Sequence, residues 1–252
     1  IKNLGNQTGY IDKESLPTLG TVSRNQNGYP IGYFFGYKAI GVFQTQEEID
    51  NYISPATGKP IQPNAVPGDT KFEDLNGDGV ISDDNEDRTM IGKPNPDWMV
   101  GLTVAADWNG FDLSAFFQGS FGADVFDALR RYELAAVNYT SDALERWTGP
   151  GTSNSMPRIV LGDTPKNFRP STLLVHDASF LRLRNLQVGY TLPAQLTRKA
   201  YIQRLRFYAS FDNLLTITGY KGMDPEIGST MGIDKGVYPQ ARVYTFGLNL
   251  TF

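Results

Sequence analysis

Hydrophobic and polar residues alternate along two neighbouring stretches near the middle of the chain. In residues 98–108 every second position from 100 onward is apolar or aromatic, and the positions between them are small or polar; residues 111–121 repeat the pattern. Side chains of a strand point alternately to the two faces of its sheet. Asn109-Gly110 separates the stretches and is a strong signal for a two-residue hairpin turn. The sequence therefore predicts a hairpin of two long strands with one apolar face.

A third stretch, residues 179–192, alternates with a change of phase. Leu186 and Val188 share a face in its second half, whereas Leu181 and Leu183 fall on the opposite phase. Two interpretations remain open. Either a β-bulge shifts the register near Asn185, or the arginines interleaved with the first two leucines lie above an apolar band.

Residues 205–212 and 242–252 predict a fourth and a fifth strand. One face of the last strand carries Tyr244, Phe246, Leu248, Leu250 and Phe252. Chain ends of soluble domains usually fray, whereas a transmembrane barrel pairs every strand to remove its edges. Aromatic residues near the strand ends fit the girdles at the two membrane interfaces. These residues are Trp98, Trp108, Phe111, Phe121, Tyr190 and Phe252.

The links between these strands are alternately short and long. Short links join residues 108 to 111 and 192 to about 203, and long ones fill 123–178 and 216–240. If the last strand ends on the periplasmic side, both short links fall on that side. Bacterial barrels show this asymmetry, with short periplasmic turns and longer outer loops. The predicted fold is all-β, part of an antiparallel transmembrane β-barrel with long extracellular loops.

The long links contain local elements of their own. Residues 29–43 are apolar or aromatic on both faces, which predicts a strand buried inside a loop domain. Thr45-Gln46-Glu47-Glu48 is a capping box and predicts a short helix running to Tyr52. Residues 127–137 and 141–147 also read as short helices.

Composition excludes some classes of protein but does not decide between a soluble domain and a β-barrel. The 252 residues include no Cys and one His, 40% are hydrophobic, and the formal net charge is −4. No run approaches the roughly 18 apolar residues that a membrane helix needs, but barrel strands need only about 9–11 alternating residues. The mild acidity argues against nucleic acid as a partner. The chain begins at Ile1 without a signal peptide, which we interpret as a fragment or a processed product.

The clearest chemical motif lies in residues 74–80, which match the front half of an EF-hand-type calcium loop. Asp74, Asn76 and Asp78 supply oxygens at positions 1, 3 and 5, and the carbonyl of Val80 supplies one at position 7. Position 12 should be a carboxylate but is Asn85. The sequence therefore predicts a structural calcium site that stiffens a long loop, against the alternative of a plain Asn/Gly/Asp turn.

Other candidates for chemistry are weak. His176 is the single His, and a single His is more often structural than catalytic. Asp112 and Asp212 would face a barrel lumen, but nothing pairs them as an acid and a base. Because we find no nucleophile set, phosphate loop or zinc spacing, we expect no enzymatic activity.

Several segments together resemble the SusC/RagA-type TonB-dependent outer-membrane transporters of Bacteroidetes. The most specific are residues 67–79, PGDTKFEDLNGDG, and residues 87–96, DRTMIGKPNP. Further matches are PIGYFFGY at 30–37, ASFLRLRNL at 178–186, GYTLP at 189–193, DNL at 212–214 and DPE at 224–226. The resemblance spans essentially the whole chain in family order.

This resemblance implies the C-terminal part, about five or six strands, of a barrel of roughly 22 strands. Residues 1–97 would be mainly extracellular loop, including the aspartate-rich loop 74–87, and residues 98–252 would be strands and loops. The plug domain and the segment that contacts TonB would belong to a missing N-terminal part. In family members a carboxylate before an Arg falls at position 12 of the aspartate loop. That residue here is Asp87, displaced as if two residues were inserted.

The implied function is TonB-dependent import of a bulky nutrient, an oligosaccharide or an oligopeptide, across the outer membrane of a Gram-negative bacterium. A SusD-like surface lipoprotein would cap the barrel, the TonB complex would supply energy, and lipid would surround the wall. The alternative is a soluble, calcium-stabilised β domain such as an adhesin or a carbohydrate-binding module. It accounts for the aspartate loop and the aromatic residues, but not for the terminal strand or the alternating link lengths.

Overall fold

The computed structural model describes residues 9–11, 22–83, 86–130, 138–226 and 231–252. Antiparallel strands dominate these residues. In chain order the strands are β1 (Gly9–Ile11), β2 (Ser23–Asn25), β3 (Tyr33–Tyr37), β4 (Ala39–Val42), β5 (Thr70–Phe72), β6 (Arg88–Gly92), β7 (Trp98–Trp108), β8 (Phe111–Phe121), β9 (Asp124–Asp127), β10 (Val175–Asp177), β11 (Phe180–Thr191), β12 (Arg204–Thr218), β13 (Ile233–Asp234) and β14 (Val243–Thr251). The α-helices are α1 (Gln46–Asp50) and α2 (Ala194–Thr197).

The chain forms two compact units, each assembled from three chain segments. The wall unit comprises Pro96–Ala123, Asp177–Glu226 and Gly236–Phe252. The loop unit comprises Ile1–Asn95, Asp124–His176 and Ile227–Lys235. Along the chain, the first segment of the loop unit precedes β7. The other two lie in the links between β8 and β11 and between β12 and β14.

The wall unit is a five-stranded antiparallel sheet in the order β14-β12-β11-β8-β7. β7 and β8 pair without a register shift from Trp98 opposite Phe121 to Trp108 opposite Phe111. Asn109 and Gly110 form the turn between them with φ of 47° and 86°. Positive φ at both central residues is what a type I′ turn requires, and its twist matches that of the strands. The predicted hairpin and the predicted set of five strands are confirmed.

A bulge interrupts β11, as one of the two sequence interpretations requires. Leu183 lies opposite Phe117 of β8, whereas Asn185 lies opposite Phe116, so Arg184 is an extra residue on β11. The register against β12 shifts at the same point, where Asn213 adopts a left-handed φ of 53°. An extra residue reverses the alternation. It therefore reconciles the two phases of apolar residues in this strand.

The loop unit has its own hydrophobic core, which joins residues far apart in sequence. All five residues of β3 are buried, as expected for a strand inside a loop domain. The buried cluster around Phe34 contains Val22, Phe126, Ala128, Leu174 and Ile233. Gln44 adds polar links, since it accepts a hydrogen bond from Trp147 Nε1 at 3.2 Å and donates one to the Ser153 carbonyl at 3.0 Å.

Three local predictions need correction or restriction. Residues 29–43 do not form one strand, because β3 and β4 join different sheets on either side of Lys38. The helix predicted for 127–137 is wrong at its start, where Asp127 ends β9, and residues 131–137 lie outside the described part of the chain. The helix at 141–147 is a 3₁₀ segment, Ser141–Glu145. At Asp127, pairing with Asp234 of β13 outweighs helix propensity.

The helix at the capping box is confirmed, but it ends at Asp50 and not at Tyr52. Thr45 is its N-cap, and its hydroxyl accepts a hydrogen bond from the backbone N–H of Glu48 at 3.2 Å. Ile49 is the buried residue of this short helix. Among the described residues, no helix is long and apolar enough to cross a membrane.

Candidate functional site

One face of the wall sheet is apolar and open. On β14, Phe246 is 75% exposed, and it packs edge-on against Phe211 of β12 at 6.2 Å between ring centres. Aromatic residues mark the strand ends: Trp98, Trp108, Phe111, Phe121 and Phe252 are exposed, and Tyr190 packs on Phe111 at 4.4 Å. Exposed apolar patches on a protein surface mark sites of contact with other proteins, ligands or a membrane. The arrangement suits a sheet that faces lipid on this side.

The opposite face of the sheet, here called the inner face, is polar. Arg206 on β12 reaches across β11 to form a bidentate ion pair with Asp112 on β8. A Cβ at Gly189, which lies between them on β11, would come within 2.4 Å of Arg206 Nη2. Glycine at this position therefore leaves the space that the pair occupies. Gly247 does the same for the ring of Tyr208, which a Cβ would approach to 2.5 Å.

The two aspartates predicted for the inner face have separate partners. Asp112 binds Arg206, whereas Asp212 accepts a hydrogen bond from Asn185 Nδ2 at 2.7 Å. The chain gives no acid–base pairing between them. These residues form part of the polar inner face of the sheet.

A second ionic cluster on the inner face was not predicted from the sequence. Arg182 and Arg184 of β11 bind Asp224 and Glu226, which follow β12. The residues stood out only as parts of the segments FLRLRN and DPE. Their partnership had no signal in sequence spacing, because about forty residues separate the arginines from the acids.

Side chains of the aspartate loop hold its backbone in place through hydrogen bonds. Asp74 accepts hydrogen bonds from the backbone N–H groups of Gly77 at 2.7 Å and Gly79 at 2.8 Å. Asp78 accepts one from Val80 N–H at 2.9 Å. Gly77 and Gly79 have φ of 78° and 88°, values that favour glycine. The turn geometry expected for the front half of the loop is therefore present.

Asn76 sits between two acids of this loop. Its Nδ2 lies 3.0 Å from Asp78 Oδ2 and 3.0 Å from Glu86 Oε2. An amide rotated by half a turn would bring its oxygen to the same place. Among the described residues, no group of three or more His, Asp or Glu is arranged to hold a metal ion. Asp84 and Asn85 lie outside the described residues.

Asp87, the last ligand suggested by the family pattern, is fully buried. Its carboxylate accepts hydrogen bonds from Leu75 N–H and Ser82 N–H, both at 3.1 Å. Asp87 thus ties the start of the loop to its end. The aspartate loop is also joined to the buried strand β3, because the Tyr37 hydroxyl donates a hydrogen bond to the Ser82 carbonyl at 2.7 Å. Burial raises the pKa of Tyr37, despite the nearby Arg169 and Arg88, so the phenol remains a donor.

Beside the aspartate loop, the loop unit contains an open cavity of about 290 Å³. Val80 and Ile81 of the loop line it, together with the polar side chains of Gln62, Asn64 and Arg169. The single His, His176, lies 3.8 Å from Asp127.

Comparison with known proteins gives a consistent result. The chain is 34% identical over 238 residues to TonB-dependent receptor P3 of Formosa agariphila, covering 90% of this chain and 23% of that protein. It is 30% identical over 248 residues to the TonB-dependent receptor SusC of Bacteroides thetaiotaomicron, covering 97% of this chain and 23% of SusC. The chain thus spans about a quarter of the length of these relatives. No protein-family model matches it.

Solved structures agree with these relatives. The RagAB peptide transporter superposes with a TM-score of 0.68 and 27% identity, over 94% of this chain and 24% of the other. The open-open state of the RagAB peptide importer superposes with a TM-score of 0.67 and 25% identity. The match covers both units of the chain, since 96% of its residues are aligned.

Proposed function

Over the quarter of their length that it matches, the chain belongs to the SusC/RagA-type TonB-dependent transporters, and from this premise we propose that it is part of an outer-membrane importer for bulky nutrients. The observation that carries the proposal is the 34% identity with a TonB-dependent receptor over 238 residues. The exposed apolar face of the wall sheet supports it, because an outer-membrane barrel places such a face against lipid. The soluble adhesin or carbohydrate-binding module explains neither observation.

In this proposal the wall sheet contributes strands to a barrel whose remaining strands lie elsewhere in the protein. β7 and β14 are the edges of the five-stranded sheet and carry unpaired backbone groups. In a membrane such groups must be paired. The loop unit belongs on the external side, where it contacts substrate or a SusD-like lipoprotein. The substrate is an oligopeptide or an oligosaccharide, and a solved relative is a peptide importer.

Deletion of the full-length gene in its native bacterium tests the proposal. We expect uptake of either fluorescent oligopeptides or fluorescent oligosaccharides to fall to background and to return on complementation. De-energising the inner membrane should abolish the same uptake. Affinity purification from detergent-solubilised outer membranes should recover a surface lipoprotein with the transporter. Recovery of the full-length protein as a soluble monomer without detergent would refute the proposal.

We further propose that the aspartate loop binds a structural calcium ion. Asp74, Asn76, Asp78 and the carbonyl of Val80 would hold it, with Asp87 as the last ligand by family pattern. The arrangement at Asn76 supports the proposal, because the amide hydrogens, which carry partial positive charge, point to two carboxylates, those of Asp78 and Glu86. Bound calcium would add rigidity to the loop.

Calcium titration of the full-length protein under limited proteolysis tests this site. Chelation should increase cleavage within residues 74–87, and added calcium should reverse the increase. The Asn76→Ala variant should remove the calcium response. A cleavage rate that does not change with calcium would make the segment a turn held by hydrogen bonds alone.

A further inference from the structure

Residues 219–226 leave the end of β12 and remain in the wall unit, where two arginines of β11 bind them. We propose that Arg182, Arg184, Asp224 and Glu226 form a latch that fixes this segment to the inner face of the wall. The segment is then a permanent part of that face rather than a gate that moves during transport. This inference goes beyond the proposed function and depends only on contacts within the wall unit.

Arg182 is the centre of the latch. Its side chain is 2% exposed, yet every nitrogen of the guanidinium has a partner. Nη2 donates to Asp224 Oδ1 at 2.6 Å, Nη1 to Glu226 Oε2 at 2.9 Å, and Nε to Thr216 Oγ1 at 2.9 Å. A buried charge is stable only when it is paired and its hydrogen-bonding groups are satisfied.

Glu226 joins the two arginines. One of its carboxylate oxygens accepts from Arg182, and the other accepts from Arg184 Nη2. Arg184 also binds Gln118 of β8 at 2.7 Å and Asn213 of β12 at 3.2 Å. The bulge makes this possible, because the extra residue turns Arg184 to the inner face beside Asn185. The latch therefore connects three strands to one segment.

Asp224 also binds backbone groups near both ends of the link between β12 and β14. Its carboxylate accepts hydrogen bonds from the backbone N–H groups of Gln240 and Glu226, both at 2.9 Å. Between Glu226 and Gln240, residues 231–235 belong to the loop unit. The same carboxylate thus holds the chain both before it leaves the wall unit and after it returns.

Charge balance distinguishes a latch from a binding site. Two arginines face two carboxylates, so the cluster has no net charge to attract an ionic substrate. Both Arg182, which is 2% exposed, and Asp224, which is 7% exposed, are too buried to bind a substrate directly. Burial opposes ionisation of Asp224, but its two backbone donors and Arg182 outweigh it and lower the pKa. The carboxylate of Asp224 is consequently ionised at neutral pH.

Tryptic cleavage of the full-length transporter in detergent tests the latch, because Lys221 lies within the held segment and is exposed. Proteases need a segment to open locally before they cut it. We expect Asp224→Asn and Glu226→Gln each to raise the cleavage rate after Lys221 by about tenfold or more, since each leaves a buried guanidinium partly unpaired. The matched control is Asp112→Asn, which breaks the other inner-face ion pair.

Each outcome of this experiment either supports or overturns the latch. A rise at Lys221 in the latch variants, with the control near wild type, supports the latch. An unchanged rate in variants whose barrel is folded, as judged by heat-modifiable electrophoretic migration, overturns it. An equal rise in the control also overturns it, because the wall would then be loosened generally. If Asp224→Asn does not fold, hydrogen exchange at the Gln240 amide is compared between Glu226→Gln and the Asp112→Asn control. Faster exchange in Glu226→Gln alone supports the latch, and equal rates in the two variants overturn it.

Discussion

The wall unit and the loop unit are stabilised in different ways. In the wall, neighbouring long strands pair in register over as many as eleven successive residue pairs, and the turn between β7 and β8 is only two residues long. In the loop unit, strands are short and the core around Phe34 collects residues from three separate segments. Pairing of adjacent strands is encoded locally, whereas the loop core depends on contacts distant in sequence. The two units should therefore fail independently when mutated.

The largest difference is expected from Phe34→Ala. Phe34 is completely buried in the loop core, and removing such a ring typically costs about 3–5 kcal/mol. The loop unit should become sensitive to protease while the wall retains its heat-modifiable migration. Leu144→Ala is the matched control, since Leu144 is 80% exposed in the same unit. Simultaneous loss of wall migration would show that the units are not independent.

A smaller effect is expected from Gly189→Ala in the wall. The new Cβ would meet Arg206 and Asp112 at 2.4–2.5 Å and displace their ion pair, at a cost of about 1–3 kcal/mol. Gly101→Ala serves as control, because its Cβ would have ordinary contact with Phe116 at 3.5 Å. The temperature at which the barrel loses its compact migration should fall only in the first variant. Protease sensitivity of the loop unit should not change in either.

Asp224 gives the latch a pH dependence. Asp224 has a lowered pKa in the folded protein, so its contribution to stability is complete above the ordinary value of about 3.9 and is lost as pH falls through the lower folded value. Hydrogen exchange at the Gln240 amide, corrected for intrinsic rates, should stay slow at neutral pH and accelerate only below about pH 4. Acceleration between pH 5 and 7 would contradict this assignment.

The smallest effect is expected at the N-cap of α1. Thr45→Ala removes the hydroxyl that accepts from Glu48 N–H, and a lost cap costs about 1 kcal/mol. Proteolysis near α1 should increase slightly, and the Thr45→Ser variant should restore the wild-type rate. A loss comparable to that of Phe34→Ala would mean that this helix is part of the loop core rather than an appendage.

The sequence was most informative where the physical signal is periodic. Alternation at every second residue predicted all five wall strands, and Asn109-Gly110 predicted the hairpin turn because few residues tolerate positive φ at two successive positions. The change of phase in β11 restricted the register to two possibilities. It could not choose between them, because the choice depends on which residues of β8 and β12 lie opposite.

Tertiary structure decided the features that join distant residues. The pairing of Arg182 with Asp224 and Glu226 has no local signal, and neither has the assembly of the loop core from three segments. The strand prediction for residues 29–43 failed to find the break at Lys38 for the same reason, since partner strands determine where each of β3 and β4 pairs. Likewise, the family pattern suggested Asp87 as a calcium ligand, but only the fold shows that its carboxylate also accepts hydrogen bonds from the N–H groups of Leu75 and Ser82.

The sequence by itself therefore determined which residues form the five wall strands and which face of β7, β8, β12 and β14 is apolar. These properties follow from backbone geometry and from the two-residue period of side chains. Only the tertiary structure decided which charges meet on the inner face and how the long loops share a core. Those outcomes depend on pairings across tens to hundreds of residues, for which chain connectivity sets no local preference.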